Sequence, residues 1–371
     1  MLLALPCANT LSSQQRDTGY TMSSSTLRDM QSRFGGSIDA ELRSALENEG
    51  GPDSLLGMMC YQLGYVDERL QPVSATAGKR FRPSLCLQAC EAVGGTWQDG
   101  LRAAAAIELL HNFSLIHDDI EDRDPVRHHR PTVWRVWGEA QAINAGDSMF
   151  ALAGRWVLGC APRADQALEV GGAFFRTALT LTEGQHLDMS FESRTDVTPD
   201  EYMEMIARKT SALVSFSLWA GATLGGASTS QRDHLSDFGR ELGTAFQIHD
   251  DWMGIWGDPR VTGKQAAQDL RRRKKTLPVL LAMERANEEQ RAQLLLFSTH
   301  ARDDLDVVLA VLRDTGVAWL TEQAVARHRA RALAALERAH IDEVQHVRLA
   351  SLAHELTGQR PASNAGTVTN A

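Results

Sequence analysis

Residues 115–124, LIHDDIEDRD, end an apolar helical run in five carboxylates, Asp118, Asp119, Glu121, Asp122 and Asp124. On a helix Asp118 and Asp122 stand at i and i+4, on one face and about 6 Å apart along the axis. Like charges so placed repel, and a hard divalent cation removes the conflict. Mg²⁺ suits the setting because it takes one or two carboxylates, keeps several waters and shares its remaining positions with substrate phosphates. The tetrapeptide Ile-His-Asp-Asp recurs at 248–251, inside QIHDDWMGIWGD. Two acidic pairs in similar settings point to one shared site. An EF-hand is excluded because no DxDxDG loop with a terminal Glu is present. Zinc fails on ligand type, since His117, His128 and His129 form no HExxH or comparable pattern.

A metal that bridges to phosphate needs cations nearby for that phosphate. Lys79, Arg80 and Arg82 cluster in GKRFRP (78–83), just before a helix that Pro83 suits. Arg127, His128, His129 and Arg130 follow the first acidic motif, and RRRKK (271–275) follows the second. Carboxylate clusters alternating with basic clusters are what a polyphosphate site with several metals requires. It is not a P-loop: GxxxxGK[ST] is absent, and VTGKQ (261–265) is only a fragment of it.

Helical spacing dominates the elements that must hold these groups. It predicts helices over 99–118, with Asp99 suited to the cap, and over 140–158, 164–190, 200–225, 231–256, 277–298, 302–314 and 318–340. No convincing alternating strand is present. The chain of 371 residues therefore reads as one all-α domain over 37–357, with roughly ten helices or more around a central cavity. Polar, Ser/Thr-rich residues 1–36 and small polar residues 358–371 read as disordered ends, and Met22 is an alternative start.

With 43% apolar and 23% charged residues, the chain can bury a substantial core. Its net charge of -9 argues against a general nucleic-acid binder. No apolar run is long enough to span a membrane. Cys7, Cys60, Cys86, Cys90 and Cys160 lack CxxC spacing and disulfide-scaffold density, which fits a reducing cytoplasm.

Seven pieces in order, GKRFRP, ELLHNFSLIHDDIED, RPTVW, NAGD (144–147), GQHLD (184–188), RKT (208–210) and FQIHDDWMGIWGDPRVTGK with RRRKKTLP, resemble the trans-isoprenyl diphosphate synthases. The resemblance implies the isoprenoid synthase fold, a homodimer, and a set of about three Mg²⁺ ions, with Mn²⁺ as a substitute. It implies an enzyme that ionises an allylic diphosphate, lets the double bond of isopentenyl diphosphate attack the carbocation, and releases a proton. Residue by residue, Asp118 and Asp122, with Asp119 beside them, match the first metal set, and Asp250 with Asp251 the second. Lys79, Arg82 and His111, with Arg80 adjacent, match the isopentenyl diphosphate pocket. Arg127 and His128 match diphosphate contacts, and Lys209, Lys264 and Lys274 match lysines for the allylic diphosphate. Thr210 and Gln247 match groups offering lone pairs near the carbocation, and Gln185 and Asp188 match the GQxxD helix. No side chain is an obvious general base; the departing diphosphate is thought to take the proton.

Two positions depart from the family pattern. Gly254 stands where the second motif has another Asp, and His128 replaces an arginine, which makes binding there pH-sensitive in principle. Product length is expected from the floor one turn below Asp118. Ser114 at -4 lies on the same stripe, whereas Phe113 at -5 is rotated by about 100°. The family links an aromatic at -5 alone with C20 products, hence geranylgeranyl diphosphate; plain core packing is the alternative for Phe113. Farnesyl and longer-chain synthases are rivals. A class I terpene cyclase would carry (N/D)DxxSxxxE, which DDWMGIWGD does not fit, and a non-catalytic regulatory homologue would be expected to have lost the first motif or GKRFRP.

Overall fold

Every residue from Ala103 to Leu110 is buried, so the helix they belong to runs through the middle of the molecule rather than along its surface. The computed structural model describes residues 26–73, 78–258, 267–299 and 303–358. Its longer helices are α1 (Thr26–Glu49), α2 (Asp53–Gln62), α3 (Phe81–Ala92), α4 (Leu101–Glu121), α5 (Glu139–Val157), α6 (Ala164–Ser193) and α7 (Pro199–Ile206). They continue as α8 (Ala212–Leu224), α9 (Thr229–Trp256), α10 (Leu277–Arg285), α11 (Glu288–Ser298), α12 (Leu305–Asp314), α13 (Val317–Arg338) and α14 (Glu343–Leu356). The all-α expectation is met. The central α4 packs against α3, α5 and α8, while α9 lies between α8 and α13. One large apolar core spans α1 to α14, with smaller clusters around Tyr202 and Ile248 and around Ile255 and Val308. No helix among the described residues is long and apolar enough to cross a membrane.

Four expectations are corrected. The domain starts earlier than residue 37, because α1 begins at Thr26 and buries Met30, Phe34, Ile38 and Leu42 on one stripe. A four-residue apolar spacing was hidden there by polar neighbours. Residues 1–25, including Met22, and the tail beyond Gly358 lie outside the described residues. The helix expected over 277–298 is two, since Asn287 and Gln290 form a reciprocal cap that starts α11. The helix expected over 200–225 is interrupted at Ala207–Ser211 by a turn of π-helix. Strands are also not wholly absent: β1 (Val126–Arg127) pairs antiparallel with β2 (Arg130–Pro131).

Candidate active site

The last turn of α4 divides the first acidic motif between cleft and core. Asp119 is 1% exposed and accepts from Arg127 Nε at 2.6 Å. Burial pushes its carboxyl up to about 6 against the opposing pull of Arg127. Asp118 is half-buried, and burial raises it to about 7, partly offset by Lys209. Asp122 caps the helix and is exposed, yet its carboxyl is raised too, by desolvation in the cleft against Lys209. Glu121 accepts from Gln185 Nε2 at 2.6 Å, which ties the motif to α6.

Cations gather on one side of this helix end. Arg82 Nη1 lies 3.1 Å from His111 Nε2, and Arg82 Nε is buried without a partner. Burial, then Arg82, Arg127 and His128, hold His111 well below the usual imidazole range. A neutral His111 accepts from Arg82 at Nε2 and keeps Nδ1–H as a donor. Arg127 and His128 arrive on the β1–β2 hairpin, whose turn residues His128 and His129 have φ of 49° and 64°. Both central residues of such a tight turn need positive φ. Arg127 reaches Asp119, while its cross-strand partner Arg130 donates to the Val66 carbonyl at 2.7 Å. Lys79 is exposed at the start of α3.

Arg80 does not join them. It is 4% exposed, and its guanidinium reaches Glu108 at 2.7 Å, Asp39 at 3.0 Å and the Leu63 carbonyl at 3.0 Å. Its backbone sits at φ 46°, which turns its side chain inward while Arg82 faces His111. Arg80 therefore locks α1, α3 and α4 together, and the expectation of a substrate contact is withdrawn.

The second motif, near the end of α9, makes a similar division. Asp250 is half-buried, whereas Asp251 is 1% exposed and bonded to the Tyr202 hydroxyl and to Gln247 Nε2 at 3.1 Å. Burial lifts the Asp251 carboxyl to about 6, against the pull of Lys274. Asp251 is thus engaged by internal partners, and the expectation of a direct catalytic contact is withdrawn. At Gly254, a Cβ would run into the Asp269 carboxylate from the segment after the motif. The position of the missing Asp is filled in space by another one.

The π turn brings the last components in. Lys209 Nζ lies 2.6 Å from Asp188 on α6, and Thr210 Oγ1 donates to Gln247 Oε1 at 3.0 Å. The turn backs directly onto Gly184, where any Cβ would strike the Lys209 backbone; that is why GQHLD begins with glycine. The RRRKK run separates. Arg272 pairs with Asp124 at 2.8 Å, Arg273 lies over the Phe297 ring at 4.3 Å, and Lys275 donates to the Glu192 carbonyl at 2.8 Å. Lys274 stands among the acidic side chains of both motifs. Burial among the cleft walls works against its charge, but Asp251, Asp188, Asp269 and Asp250 outweigh this and hold it above the usual lysine range. It also lies within electrostatic reach of Asp122, so both motifs meet there. Lys264 lies outside the described residues.

Below the first motif, Phe113 packs 5.1 Å from Phe150 of α5 and 4.8 Å from His117, and Phe150 meets Phe175 of α6 at 6.2 Å. Ser114 is buried, its hydroxyl donating to the His111 carbonyl at 2.9 Å.

Residues 65–314 match the sequence profile of the family Polyprenyl synthetase. The chain belongs to that family. It is 40% identical over 311 residues to a (2E,6E)-farnesyl diphosphate synthase of Mycobacterium tuberculosis, covering 82% of this chain and 86% of the relative. It is 36% identical over 329 residues to a geranylgeranyl diphosphate synthase of the same organism, covering 83% and 92%. The fold superposes on the crystal structure of a polyprenyl synthetase from Streptomyces coelicolor A3(2) with a TM-score of 0.82 and 34% identity, over 89% of this chain and 99% of the other. The chain is an enzyme of the isoprenyl diphosphate synthase type.

The donor set fits the divalent ions this polyprenyl synthetase chemistry calls for. Among the described residues no three acidic, histidine or cysteine side chains converge closely enough to cage an ion by themselves. Asp118 and Asp122 on one wall and Asp250 on the other fit a cation that keeps waters and shares phosphate oxygens. Sequence reasoning missed Tyr202, Asp269 and the Arg272–Asp124 link. Nothing in their spacing announced them, because each acts across a distance in sequence that only folding closes.

Proposed function

We propose that this polyprenyl synthetase condenses isopentenyl diphosphate with allylic diphosphates to make geranylgeranyl diphosphate. One observation carries the two-substrate reading: charged groups form two sets. Arg82, Arg127 and His128 gather within electrostatic reach of His111, and the nearby Asp119 is taken up by Arg127. Asp118, Asp122 and Asp250 with Lys209 and Lys274 make up the other set. The first set binds one diphosphate by charge-assisted hydrogen bonds. The second suits a diphosphate that must leave. Mg²⁺ held by Asp118, Asp122 and Asp250 would neutralise charge developing on that leaving group.

The residues then divide the work. Lys209, held by Asp188, and Lys274 stabilise the departing oxygens as the allylic C–O bond breaks. The oxygens of Thr210 and Gln247 face the cationic carbon and stabilise it through their lone pairs. Arg82, His111 and Arg127 hold isopentenyl diphosphate so that its double bond attacks and forms the new C–C bond. The proton lost from the adjacent carbon goes to the released diphosphate.

A C20 product is supported by the aromatic Phe113 at the floor with a small, buried Ser114 next to it. Phe150 thickens the floor, and this, together with the 40% identity to a (2E,6E)-farnesyl diphosphate synthase, favours farnesyl diphosphate as the second reading. A homodimer is supported by Leu168, Phe175, Leu179 and Met189, exposed on a stripe of α6 about 31 Å long at 1.5 Å per residue. A second copy of the chain is the occupant that buries it. Cytoplasmic residence is supported by the free state of Cys60, Cys86, Cys90 and Cys160.

The test is to supply Mg²⁺, isopentenyl diphosphate and C5, C10 or C15 allylic diphosphates and to measure product length. C20 is expected from each. Ser114→Phe should shorten the product towards C15, and Phe113→Ala should lengthen it. Unaltered length in both folded variants would discard this floor, and turnover without isopentenyl diphosphate would favour a cyclase. Light scattering should give a dimer mass that Leu179→Glu lowers to the monomer's.

A further inference from the structure

The interior holds a chain of hydrogen bonds whose direction is set from one end. As a carboxylate, Asp251 is an acceptor only. Its Oδ2 accepts from the Tyr202 hydroxyl and, at 3.5 Å, faces the Leu277 backbone N–H, while Oδ1 accepts from Gln247 Nε2 at 3.1 Å. An amide is nearly symmetric in shape, so its partners alone decide which way it lies. With Nε2 committed to Asp251, Gln247 turns Oε1 towards Thr210, whose hydroxyl gives its proton to that oxygen at 3.0 Å. Thr210 is then left with lone pairs to present. Were the amide reversed, its N–H would displace the Thr210 proton, and the pair would show a cation the positive ends of their dipoles. Tyr202 and Asp251 are each 1% exposed, so water does not compete at that end of the arrangement.

We propose that Tyr202 is a positioning residue for the prenyl transfer: by holding Asp251, it keeps the oxygens of Gln247 and Thr210 turned to the carbocation. The proposal rests on the assignment of those two residues made above. Tyr202 comes from α7, before the π turn, so one side chain couples the approach to that turn with α9. Its effect on the reaction passes through Gln247 rather than through any contact of its own with substrate.

A cycle of Tyr202→Phe, Gln247→Ala and the double variant in the full chain tests this, with kcat, KM for the allylic diphosphate, the Mg²⁺ dependence of the rate and thermal melting all measured. Tyr202→Phe should lower kcat by about 10- to 100-fold, as loss of an orienting partner does, with KM within about twofold. The double variant should be no slower than Gln247→Ala, because both remove one effect. The Mg²⁺ concentration for half-maximal rate should stay where it is. If Tyr202→Phe is too unstable to purify, Asp251→Asn, which removes the acceptor-only end, takes its place in the same cycle. Normal kcat in the folded variant, losses that multiply in the double variant, or a shifted Mg²⁺ requirement would each overturn the positioning role. Normal turnover in Gln247→Ala would instead bring down the assignment of Gln247 itself, and this proposal with it.

Discussion

Residues 116–119 and 248–251 are the same four amino acids near the ends of two long helices, yet they are finished differently. In each, the second aspartate is 1% exposed and held inside while the first is left half-buried in the cleft. Asp119 is held by a cation, Arg127, and Asp251 by a neutral hydroxyl and an amide, Tyr202 and Gln247. Four residues on, α4 offers a second carboxylate, Asp122, whereas α9 offers Gly254 with the Asp269 carboxylate laid over it. The first histidine lies 4.8 Å from Phe113, and the second is stacked parallel to Trp252 at 6.3 Å. A repeated motif therefore sets which aspartate points inward through helical geometry, but its partners set its charge balance.

The comparison breaks most sharply on turnover. Asp250 is the one motif carboxylate α9 turns to the cleft, so Asp250→Ala should cost about 10³-fold in kcat, as should Asp118→Ala. Asp122→Ala, which leaves Asp118 on the same wall, should cost about 10²-fold. A steady-state ranking with Asp122 as the most severe would reverse the picture of a doubly supplied first motif and a singly supplied second.

Gly254→Asp looks from sequence like restoration of a lost ligand. Because Asp269 already fills that space, the change should instead destabilise the fold by about 1–3 kcal/mol through overpacking and like charge. A Mg²⁺ titration followed by thermal shift should show lower melting and no gain in affinity. Tighter Mg²⁺ binding would mean that Asp269 yields, and that the gap at Gly254 is real.

Protonation distinguishes the motifs less. Burial raises Asp118 to about 7 and Asp119 and Asp251 to about 6, so the folded metal-free protein keeps protons that the unfolded chain releases near pH 4. The stability these groups contribute is fully present below that value and is lost as pH rises through 6 to 7. The melting temperature of metal-free protein should therefore fall between pH 5 and 8. Mg²⁺ should raise it more at pH 8 than at pH 5.5, because Asp118 must be ionised to bind the ion. A flat melting profile across this range would contradict the burial of these carboxylates. The smallest effect is expected at the hairpin. His128→Arg should change KM for isopentenyl diphosphate by no more than about threefold, as expected for a charge on an exposed hairpin turn.

Much of this protein was legible before folding. Helical periodicity marked α4, α6 and α9 closely, since their apolar stripes are long, and hard carboxylates next to guanidinium groups pointed to metal and diphosphate together. The paired spacing of Asp118 and Asp122 needed only the pitch of a helix. Composition concealed α1, whose stripe of Met30, Phe34 and Ile38 is set among polar residues. The π turn was also hidden, because its close packing against Gly184 of α6 is a contact between segments apart in sequence. Arg80 and Arg82 show the limit most plainly. They are identical in type and two positions apart, and one locks three helices while the other faces His111. Residue type and spacing determined which chemistry the chain can perform. Which of two like side chains performs it was decided by burial and by partners far away in sequence, because a charge is stabilised by what surrounds it in space.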